Sequence, residues 1–361
     1  MQLVDIHLHN FRAIKQTTIH FAPQRTIIVG DNGTGKTTIL EAIHLLAMGR
    51  SFRTSKHAQL VQESSDGYRV MANLKNESRS LTLQAAGLPD GSRRMWINGA
   101  PVDKLRDILG QLPAVTMIPE DIALLQGSDQ ERRAFIDRVL GTTDRRYLEA
   151  LVAYRHVLRQ RNGALRQSGA QRATVEIWNG PLVAHAESIW RKREAFLRVF
   201  SQLFSEAWAG HGVGLPAGLT YEPPAYARAD DYAAHLLAKY AADARLGRTS
   251  SGPHRDRLTV TLDGRPSRSH ASMGELKLLL ATFKLAESRY VRQCLGQAPV
   301  MLMDDLFATL DPGRAALVLE ELSGDHQVVI TTTALEGPLR DAASQPGTEI
   351  VHCSREATWP A

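Results

Sequence analysis

The sequence predicts an α/β fold that carries an α-helical insertion. Residues 26–29 form an apolar run, residues 30–37 a glycine-rich loop and residues 38–43 the start of a helical pattern, so a strand, a loop and a helix follow one another. A second apolar run at 300–303 is typical of a strand buried on both faces of a parallel sheet. From about residue 130, between these two parts, apolar residues recur at helical spacing instead.

The composition is that of an ordinary globular protein. Of 361 residues, 43% are hydrophobic and 22% are charged, which provides enough material for a core and for two domains. The two cysteines, Cys294 and Cys353, have no C-x-x-C spacing, so neither a disulfide framework nor a zinc site is indicated. The first residues lack a signal-peptide pattern, and no apolar run has the length of a membrane span. We therefore expect a soluble cytoplasmic protein with no membrane partner.

Residues 30–37 read G-x-x-x-x-G-K-T, the complete pattern of a phosphate-binding loop. Glycines let successive backbone N–H groups turn toward phosphates, Lys36 would reach the β- and γ-phosphates, and the Thr37 hydroxyl would ligate Mg²⁺. The pattern predicts binding of a nucleoside triphosphate such as ATP, with Lys36 also catalytic. The predicted nucleotide-binding residues of the loop are Gly30, Asp31, Asn32, Gly33, Thr34, Gly35, Lys36, Thr37 and Thr38.

Two acids, Asp304 and Asp305, follow the apolar run at 300–303. Open α/β sheets place ligands at the carboxyl ends of their strands, so Asp304 is predicted to hold Mg²⁺ together with Thr37. Asp305 is predicted to be catalytic, orienting or deprotonating the attacking water. An aspartate reaches one methylene less far than a glutamate, and we therefore expect slow ATP hydrolysis.

Ser272 and Glu275 have the spacing of a capping box at the start of a helical pattern. In that interpretation their side chains satisfy the first backbone donors of the helix, and no nucleotide is needed. A serine and a glycine at an exposed helix N-terminus also favour anion binding. On this second interpretation Ser272 and Gly274 contact the γ-phosphate of an ATP that another subunit carries.

Positive charge is concentrated in the helical segment. Between Glu131 and Arg198 there are 14 Lys and Arg against 7 Asp and Glu, a local charge of +7, which leaves −2 for the rest of a chain whose total is +5. Arginine binds phosphate bidentately, although a charge run on a helix is also typical of a solvated face. The predicted DNA-contacting residues are Arg155, Arg159, Arg161 and Arg166.

Two apolar stripes predict a pair of antiparallel helices, each about 30 Å long, that would form a protruding arm. Residues 166–172 form a plausible turn between them. The members of the stripes recur at spacings of three, four and seven: Tyr147, Leu151, Tyr154, Leu158 and Leu165 in the first, and Leu182, Ala186, Ile189, Phe196, Phe200 and Leu203 in the second.

The order of these motifs is that of ABC-type ATPase heads. A phosphate loop, an S-x-G-E helix and an apolar strand with two acids are followed by Asp311 and by a strand that ends in threonines at 331–333. Beyond these motifs the chain resembles the RecF family, bacterial recombination-mediator ATPases related to the SMC proteins, over nearly its whole length. The further matching stretches are residues 10–12, 49–53, 119–121, 132–137, 160–162 and 252–256.

This resemblance implies an ABC-type P-loop ATPase head, a mixed sheet with flanking helices, formed by residues 1–129 and 247–361. An inserted α-helical arm would occupy residues 130–246. Two subunits would hold two ATP molecules between them, with Asp311 linking the two sites. Arg12 and Arg53 are expected near the nucleotide or DNA.

The implied function is that of an ATP-dependent DNA-binding protein that dimerises around ATP and clamps DNA. The family resemblance places this activity in gap repair, replication restart and SOS induction, with weak, DNA-stimulated ATP hydrolysis as the release step. The implied partners are gapped DNA or junctions of single- and double-stranded DNA, together with RecR- and RecO-like proteins.

Four residues bear on how closely the chain follows the family's pattern. Met273 stands where arginine is usual and Glu275 where glutamine is common, so one charge that would compensate phosphate is absent and weaker ATP-driven pairing is expected. Arg257 replaces a usual acid, which removes any acidic role at that position. Gln126 is a candidate for the glutamine that contacts Mg²⁺ in ABC-type ATPases.

Two other functions share part of this pattern. A small-molecule kinase would use the same phosphate loop as a single subunit and needs no S-x-G-E helix. A transporter ATPase subunit shares the head chemistry, but it normally carries a glutamate after the strand aspartate and a histidine near residues 331–333. Both are missing here.

Overall fold

The computed structural model describes residues 1–76, 78–167, 171–212, 214–307, 311–322 and 326–354. They form two compact units: unit 1 is Met1–Asp121 with the described part of Ser272–Ala361, and unit 2 is Ile122–Ala271. The second boundary lies C-terminal to the predicted residues 246–247, because the strands and short helices of residues 253–270 pack within unit 2. The assignment of a head and an arm to these parts of the chain stays a prediction.

Unit 1 is mostly strands in its N-terminal part and alternates helices and strands from residue 273 onward, whereas unit 2 is mainly helical. The strands are β1 (Gln2–Phe11), β2 (Ile14–His20), β3 (Arg25–Gly30), β4 (Tyr68–Lys75), β5 (Ser80–Gly87), β6 (Arg93–Ile97), β7 (Ala100–Val102), β8 (Ala114–Met117), β9 (Ala217–Tyr221), β10 (Leu258–Leu262), β11 (Arg265–Pro266), β12 (Val300–Asp304), β13 (Val328–Thr332) and β14 (Thr348–Cys353). The helices are α1 (Lys36–Met48), α2 (Ala123–Gln126), α3 (Asp129–Thr143), α4 (Arg145–Leu165), α5 (Arg172–Glu176), α6 (Asn179–Gly210), α7 (Ala229–Leu246), α8 (Ser267–His270), α9 (Met273–Leu295), α10 (Pro312–Leu322) and α11 (Pro338–Ala343).

A five-stranded parallel sheet in unit 1 has the order β14-β3-β13-β12-β8. Every residue of β8, β12 and β13 is buried, as expected for parallel strands covered on both faces. The register places Asp304 opposite Thr331 and Cys353 opposite Gly30. The carboxyl ends of four strands therefore meet at one edge of the sheet, where the phosphate loop begins.

A six-stranded antiparallel sheet, in the order β2-β1-β4-β5-β6-β7, forms the second layer of unit 1. Buried and less buried residues alternate along β4 and β5, the pattern of strands with one face on a core. Asn98 and Gly99 form the turn between β6 and β7, and both have positive φ, as a tight turn between antiparallel strands requires. Helix α1 is buried along nearly its whole length and contacts strands of both sheets.

Unit 2 is built on α4 and α6, which pack against each other. They contain 21 and 32 residues, corresponding to lengths of about 32 and 48 Å at the α-helical rise. Most residues of the two predicted stripes are buried, with Leu203 still only 8% exposed. The segment predicted to be an inserted α-helical arm, 130–246, also contains the strand β9, which the sequence did not indicate and which pairs with β10 in a small antiparallel sheet. The predicted turn at 166–172 lies partly outside the described residues.

A network of buried charges fixes the interior of unit 2 around Arg193. Its guanidinium forms ion pairs with Asp137 at 2.8 Å and Asp256 at 2.6 Å, and it also donates to the Tyr147 Oη at 3.1 Å. Burial by itself lowers the pKa of Arg193, but the charges of Tyr147, Asp137 and Asp256 raise it well above its ordinary value. Two of the stretches that match the RecF family, 132–137 and 252–256, thus supply the acids of a structural network.

Among the described residues, no helix is both long enough and apolar enough to cross a bilayer.

Candidate functional site

The glycine-rich loop leaves the carboxyl end of β3 and enters α1. Gly33 and Gly35 have φ values of 82° and 101°, in the region that favours glycine, and Gly35 is the N-cap of α1. A β-carbon at Gly30 would collide with the carbonyl oxygen of Cys353 on the neighbouring strand β14. The glycines at 30, 33 and 35 are therefore required by backbone geometry, and the predicted strand, loop and helix are confirmed.

The side chain of Lys36 folds back into the loop. Its Nζ donates to the carbonyl oxygens of Gly30 at 2.5 Å and Asp31 at 2.9 Å, and the residue is only 7% exposed. A positive charge at this depth is screened weakly by solvent, so it interacts strongly with any anion that enters the loop.

Thr37 and Asp304 face each other although they are 267 positions apart in the chain. The Thr37 Oγ1 donates to the Asp304 Oδ1 at 3.0 Å and Oδ2 at 2.9 Å, and the Thr331 Oγ1 donates to the same Oδ1 at 2.6 Å. Hydroxyl and carboxylate oxygens are the protein ligands that Mg²⁺ prefers, and phosphate and water oxygens usually fill most of its other coordination positions. The pair Thr37 and Asp304 therefore fits Mg²⁺. The described residues contain no cluster of three or more His, Cys, Asp or Glu that could hold another metal ion.

Asp305 follows β12 in a strained backbone conformation with φ of 50°. Its N–H donates to the Thr331 Oγ1 at 3.1 Å and carbonyl oxygen at 3.2 Å, which fixes the turn. Its Oδ1 is buried and has no hydrogen-bond partner among the described residues. Burial and then the charge of Asp304 raise the pKa of the Asp305 carboxyl, while Lys36 opposes them. A carboxyl group with a free, desolvated oxygen is suited to accept a proton from water.

These side chains line one cavity of about 300 Å³ in unit 1. The sequence did not indicate Ala13, which follows Arg12 in the turn between β1 and β2. The residues that line the cavity are Ala13, Asn32, Gly33, Gly35, Lys36, Thr37, Thr38, Arg53, Asp304 and Asp305.

Arg12 acts on this site through Glu41 rather than as a lining residue. Its Nη2 and Nε donate to the two carboxylate oxygens of Glu41 at 2.6 and 3.1 Å. Glu41 is fully buried in α1 and also accepts from the Ser51 Oγ at 2.5 Å, while Arg53 lies 3.7 Å from it. This cluster anchors the first turns of the helix that the loop enters. A direct contact of Arg12 with nucleotide stays a prediction.

Ser272 and Glu275 form a capping box at the start of α9. The Ser272 N–H donates to the Glu275 Oε2 at 2.7 Å, and the Glu275 N–H donates to the Ser272 Oγ at 3.3 Å. Ser272 and Met273 are exposed, and Glu275 is half-buried. The hydrogen bonds to Ser272 lower the pKa of Glu275, with a further contribution from Arg314. The capping role is thereby confirmed, and it leaves the helix end open to solvent.

A second cluster in unit 1 consists of the predicted residues Ser272, Gly274 and Asp311. Arg314 on α10 connects them, and the sequence gave no signal for this arginine. Its Nε pairs with the Asp311 Oδ2 at 3.2 Å, and its backbone N–H donates to the Asp311 Oδ1 at 3.0 Å. A β-carbon on Gly274 would lie 2.7 Å from its Nη1. Unit 1 thus brings Ser272, Gly274 and Asp311 together around a guanidinium, and none of the three lines the phosphate-loop cavity.

The four arginines predicted to contact DNA lie on or at the end of α4, but in different environments. Arg159 and Arg166 are exposed, and Arg155 is exposed but paired with Asp137 at 2.8 Å. The prediction is wrong for Arg161, which is fully buried. Its guanidinium binds Asp243 at 2.9 Å, the Thr249 Oγ1 at 2.7 Å and the Asn179 Oδ1 at 3.0 Å.

Gln126 is the exposed last residue of α2 in unit 2. Its predicted contact with Mg²⁺ stays a prediction.

The chain matches a family model over residues 2–351, that of the RecF/RecN/SMC N-terminal domain. It is 35% identical to the DNA replication and repair protein RecF of Moorella thermoacetica over 92% of this chain and 90% of that protein. The chain belongs to the RecF family. The RecF of Lactobacillus acidophilus is 32% identical to this RecF-family chain over 96% of both proteins.

Solved structures agree with this family assignment. The recombination mediator protein RecF with ATP, of the RecFOR pathway, is 26% identical and superimposes with a TM-score of 0.85 over 92% of both chains. An SMC head bound to the C-terminal winged-helix domain of ScpA has a TM-score of 0.58 at 20% identity, over 94% of this chain and 92% of that chain. The predicted α/β fold of an ABC-type ATPase is thereby confirmed.

Proposed function

We propose that this RecF-family protein is an ATP-dependent DNA-binding protein whose two copies close around ATP and clamp DNA in gap repair, replication restart and SOS induction. The observation that carries the proposal is the hydrogen bond between Thr37 and Asp304 beside the buried ammonium group of Lys36. These groups have the chemistry and placement to bind a triphosphate with Mg²⁺. A RecF that is 26% identical is known with ATP.

Four side chains of this cavity have a defined task in the proposed reaction. Lys36 and the loop N–H groups bind the β- and γ-phosphates. Thr37 and Asp304 would hold Mg²⁺, which would supply positive charge to the phosphates. Asp305 accepts a proton from the attacking water. Because its side chain is one methylene shorter than glutamate, hydrolysis of ATP is slow. DNA stimulates this hydrolysis, which times the release of DNA.

The second copy supplies the other half of the nucleotide site. Ser272 and Gly274 lie at an exposed helix N-terminus, whose partial positive charge favours an anion. Arg314 adds a guanidinium to the same cluster, where the usual arginine at position 273 is replaced by Met273. Asp311 is placed to link the two sites through Arg314. RecR- and RecO-like proteins and gapped DNA are the proposed partners.

The competing functions differ in what they require. A small-molecule kinase would complete its site within one copy, and the cluster of Ser272, Gly274 and Arg314 would have no task. A transporter ATPase subunit would normally have a glutamate at position 305 and a histidine near 331–333, and this chain has neither. The exposed second cluster therefore favours a site that two copies share.

ATP-dependent pairing is tested by the mass of the protein in solution. With Mg²⁺ and ATP the wild type is expected to become a dimer, whereas Ser272→Arg stays a monomer because a large cation occupies the interface while Lys36 in the same chain still binds ATP. Sedimentation together with a fluorescent ATP analogue measures both properties. Ser80→Arg, an exposed serine on β5, is the matched control and should dimerise. A wild type that binds ATP but remains monomeric would favour the kinase instead.

DNA contact by α4 is tested through the salt dependence of binding. Replacing Arg159 and Arg166 together by glutamine is expected to reduce the slope of log K against log salt by about 2, because each lost phosphate contact removes about 0.9. Binding of gapped DNA at several salt concentrations gives the slope. Arg145→Gln, on the same helix and already paired with Glu149 at 3.3 Å, should change it less. An unchanged slope in the double variant would show that these arginines have another role.

A further inference from the structure

A cavity of about 390 Å³ lies in unit 2, and none of the residues that line it has a task in the function proposed above. We call it the arginine cavity because three of its eight lining residues are arginines. Its walls come from α2, α3, β10, β11 and α8. The lining residues are Leu125, Asp129, Arg132, Arg257, Thr259, Val260, Pro266 and Arg268.

Arg132 forms the inner wall of the arginine cavity and is only 5% exposed. Its Nη1 donates to the carbonyl oxygens of Leu124 at 3.3 Å and Gly127 at 3.0 Å, and its Nη2 donates to the Asp129 Oδ1 at 3.0 Å. These contacts lock the guanidinium plane. Its Nε–H is also buried and has no partner among the described residues. A buried donor without an acceptor is costly, so the charge of Arg132 at the inner wall is incompletely compensated.

The charge of the arginine cavity selects an anion. Arg257 and Arg268 are exposed at its walls, and neither forms an ion pair with a described residue. Asp129 is the only acid in the lining, and it is already paired with Arg132. The lining therefore carries two more positive than negative charges at neutral pH.

We propose that the arginine cavity binds a phosphoryl group. The exposed guanidinium groups of Arg257 and Arg268 donate to the phosphate oxygens, and the charge of Arg132 behind them adds to the attraction. Guanidinium groups suit this task because their donors match the spacing of phosphate oxygens. The volume lies within the range of ligand sites and leaves room for the group that bears the phosphate. That group is either the backbone of DNA or a free phosphate compound, and the chemistry at the arginines is the same.

The experiment observes the Nε–H group of Arg132 directly in the full-length protein. Its ¹H–¹⁵N resonance, assigned by its loss in Arg132→Lys, is followed while inorganic phosphate is added and, in a second series, a short single-stranded oligonucleotide. A saturable shift is expected. In the double variant Arg257→Asp with Arg268→Ala, affinity should fall at least about tenfold, because both neutralising charges are lost. Arg265→Ala, an exposed arginine outside the lining, should leave the affinity unchanged.

The two titrations separate the possible sources of the phosphate. A response to the oligonucleotide that phosphate competes away assigns a DNA backbone phosphate, and a response to inorganic phosphate alone assigns a free compound. No response to either, or equal affinity in the double variant, overturns the proposal. The proposal does not depend on the ATP clamp, because the phosphate series contains no nucleotide. ATP-dependent dimerisation, measured on the same samples, shows whether that function fails independently.

Discussion

Replacing Lys36 by methionine is expected to lower the affinity for ATP by about 100-fold or more, the usual consequence of removing one partner from a desolvated charge pair. The Lys36 ammonium group is buried and directed into the loop by two carbonyl oxygens, so its attraction to a triphosphate is weakly screened. Methionine retains the length of the side chain but not the charge. Titration with a fluorescent ATP analogue measures the loss.

The same change should remove the stabilisation that ATP confers. At an ATP concentration 100 times the dissociation constant, the wild type gains about 2.7 kcal/mol in free energy of unfolding, and the variant at that concentration gains much less. The variant also loses two hydrogen bonds within the loop, which lowers its free energy of unfolding even without ATP. The quantity to compare is therefore the change in free energy of unfolding that ATP causes in each protein.

Lys56→Met is the matched control for Lys36→Met, because Lys56 is an exposed lysine before a short helix of unit 1. It should bind ATP like the wild type. If Lys36→Met retained wild-type affinity, the cavity beside Asp304 would not be the nucleotide site, and the mechanism given for Thr37, Asp304 and Asp305 would fail with it.

The phosphate-loop site was predictable because most of its requirements are local. The glycines, Lys36 and Thr37 lie within one strand, loop and helix, and each type of residue follows from backbone geometry or phosphate chemistry. Asp304 is distant in sequence, but a fully apolar strand that ends in acids identifies a carboxyl edge of a parallel sheet. By contrast, Arg314 lies beside Gly274 through the packing of α9 and α10, and nothing in its sequence neighbourhood indicates that. Its pair with Asp311 is local, because the two residues are three positions apart.

The burial of Arg161, which was predicted to contact DNA, could have been recognised from the sequence. The first apolar stripe advances by seven from Leu158 to Leu165, and Arg161 lies at the missing position between them. The second stripe advances by seven from Ile189 to Phe196, and Arg193 fills that gap. Both arginines are buried. A charged residue that occupies a vacant place in an apolar stripe is thus better interpreted as a buried member of the core with a distant acidic partner than as part of a solvated face.

What the sequence could not provide is the identity of those partners. Asp243 lies 82 positions after Arg161, and Asp256 lies 63 positions after Arg193. Helical periodicity reports which face of a helix is buried, but it does not report which other element covers that face. Strand β9 was missed for a related reason, because its short sequence becomes a strand only by pairing with β10.

Asp256→Ala is expected to destabilise unit 2 by about 3–5 kcal/mol, the range for removing one partner of a buried ion pair. The Asp256 carboxylate accepts from Arg193 at 2.6 Å, from the Trp190 Nε1 at 2.9 Å and from the Tyr221 Oη at 2.8 Å. Alanine would leave all three buried donors without this acceptor, and Arg193 would keep only Asp137 as an acidic partner. Urea unfolding followed by tryptophan fluorescence measures the loss, since Trp178, Trp190 and Trp208 lie in unit 2.

Two further variants determine whether charge or packing is responsible. Asp256→Asn keeps the shape and one acceptor oxygen, so it should cost less than alanine but still leave the Arg193 charge undercompensated. Glu187→Ala removes an exposed acid from α6 and should change the free energy of unfolding by no more than about 0.5 kcal/mol. If Asp256→Ala were as stable as Glu187→Ala, the network around Arg193 would not hold unit 2 together, and the 252–256 stretch would require a functional explanation instead.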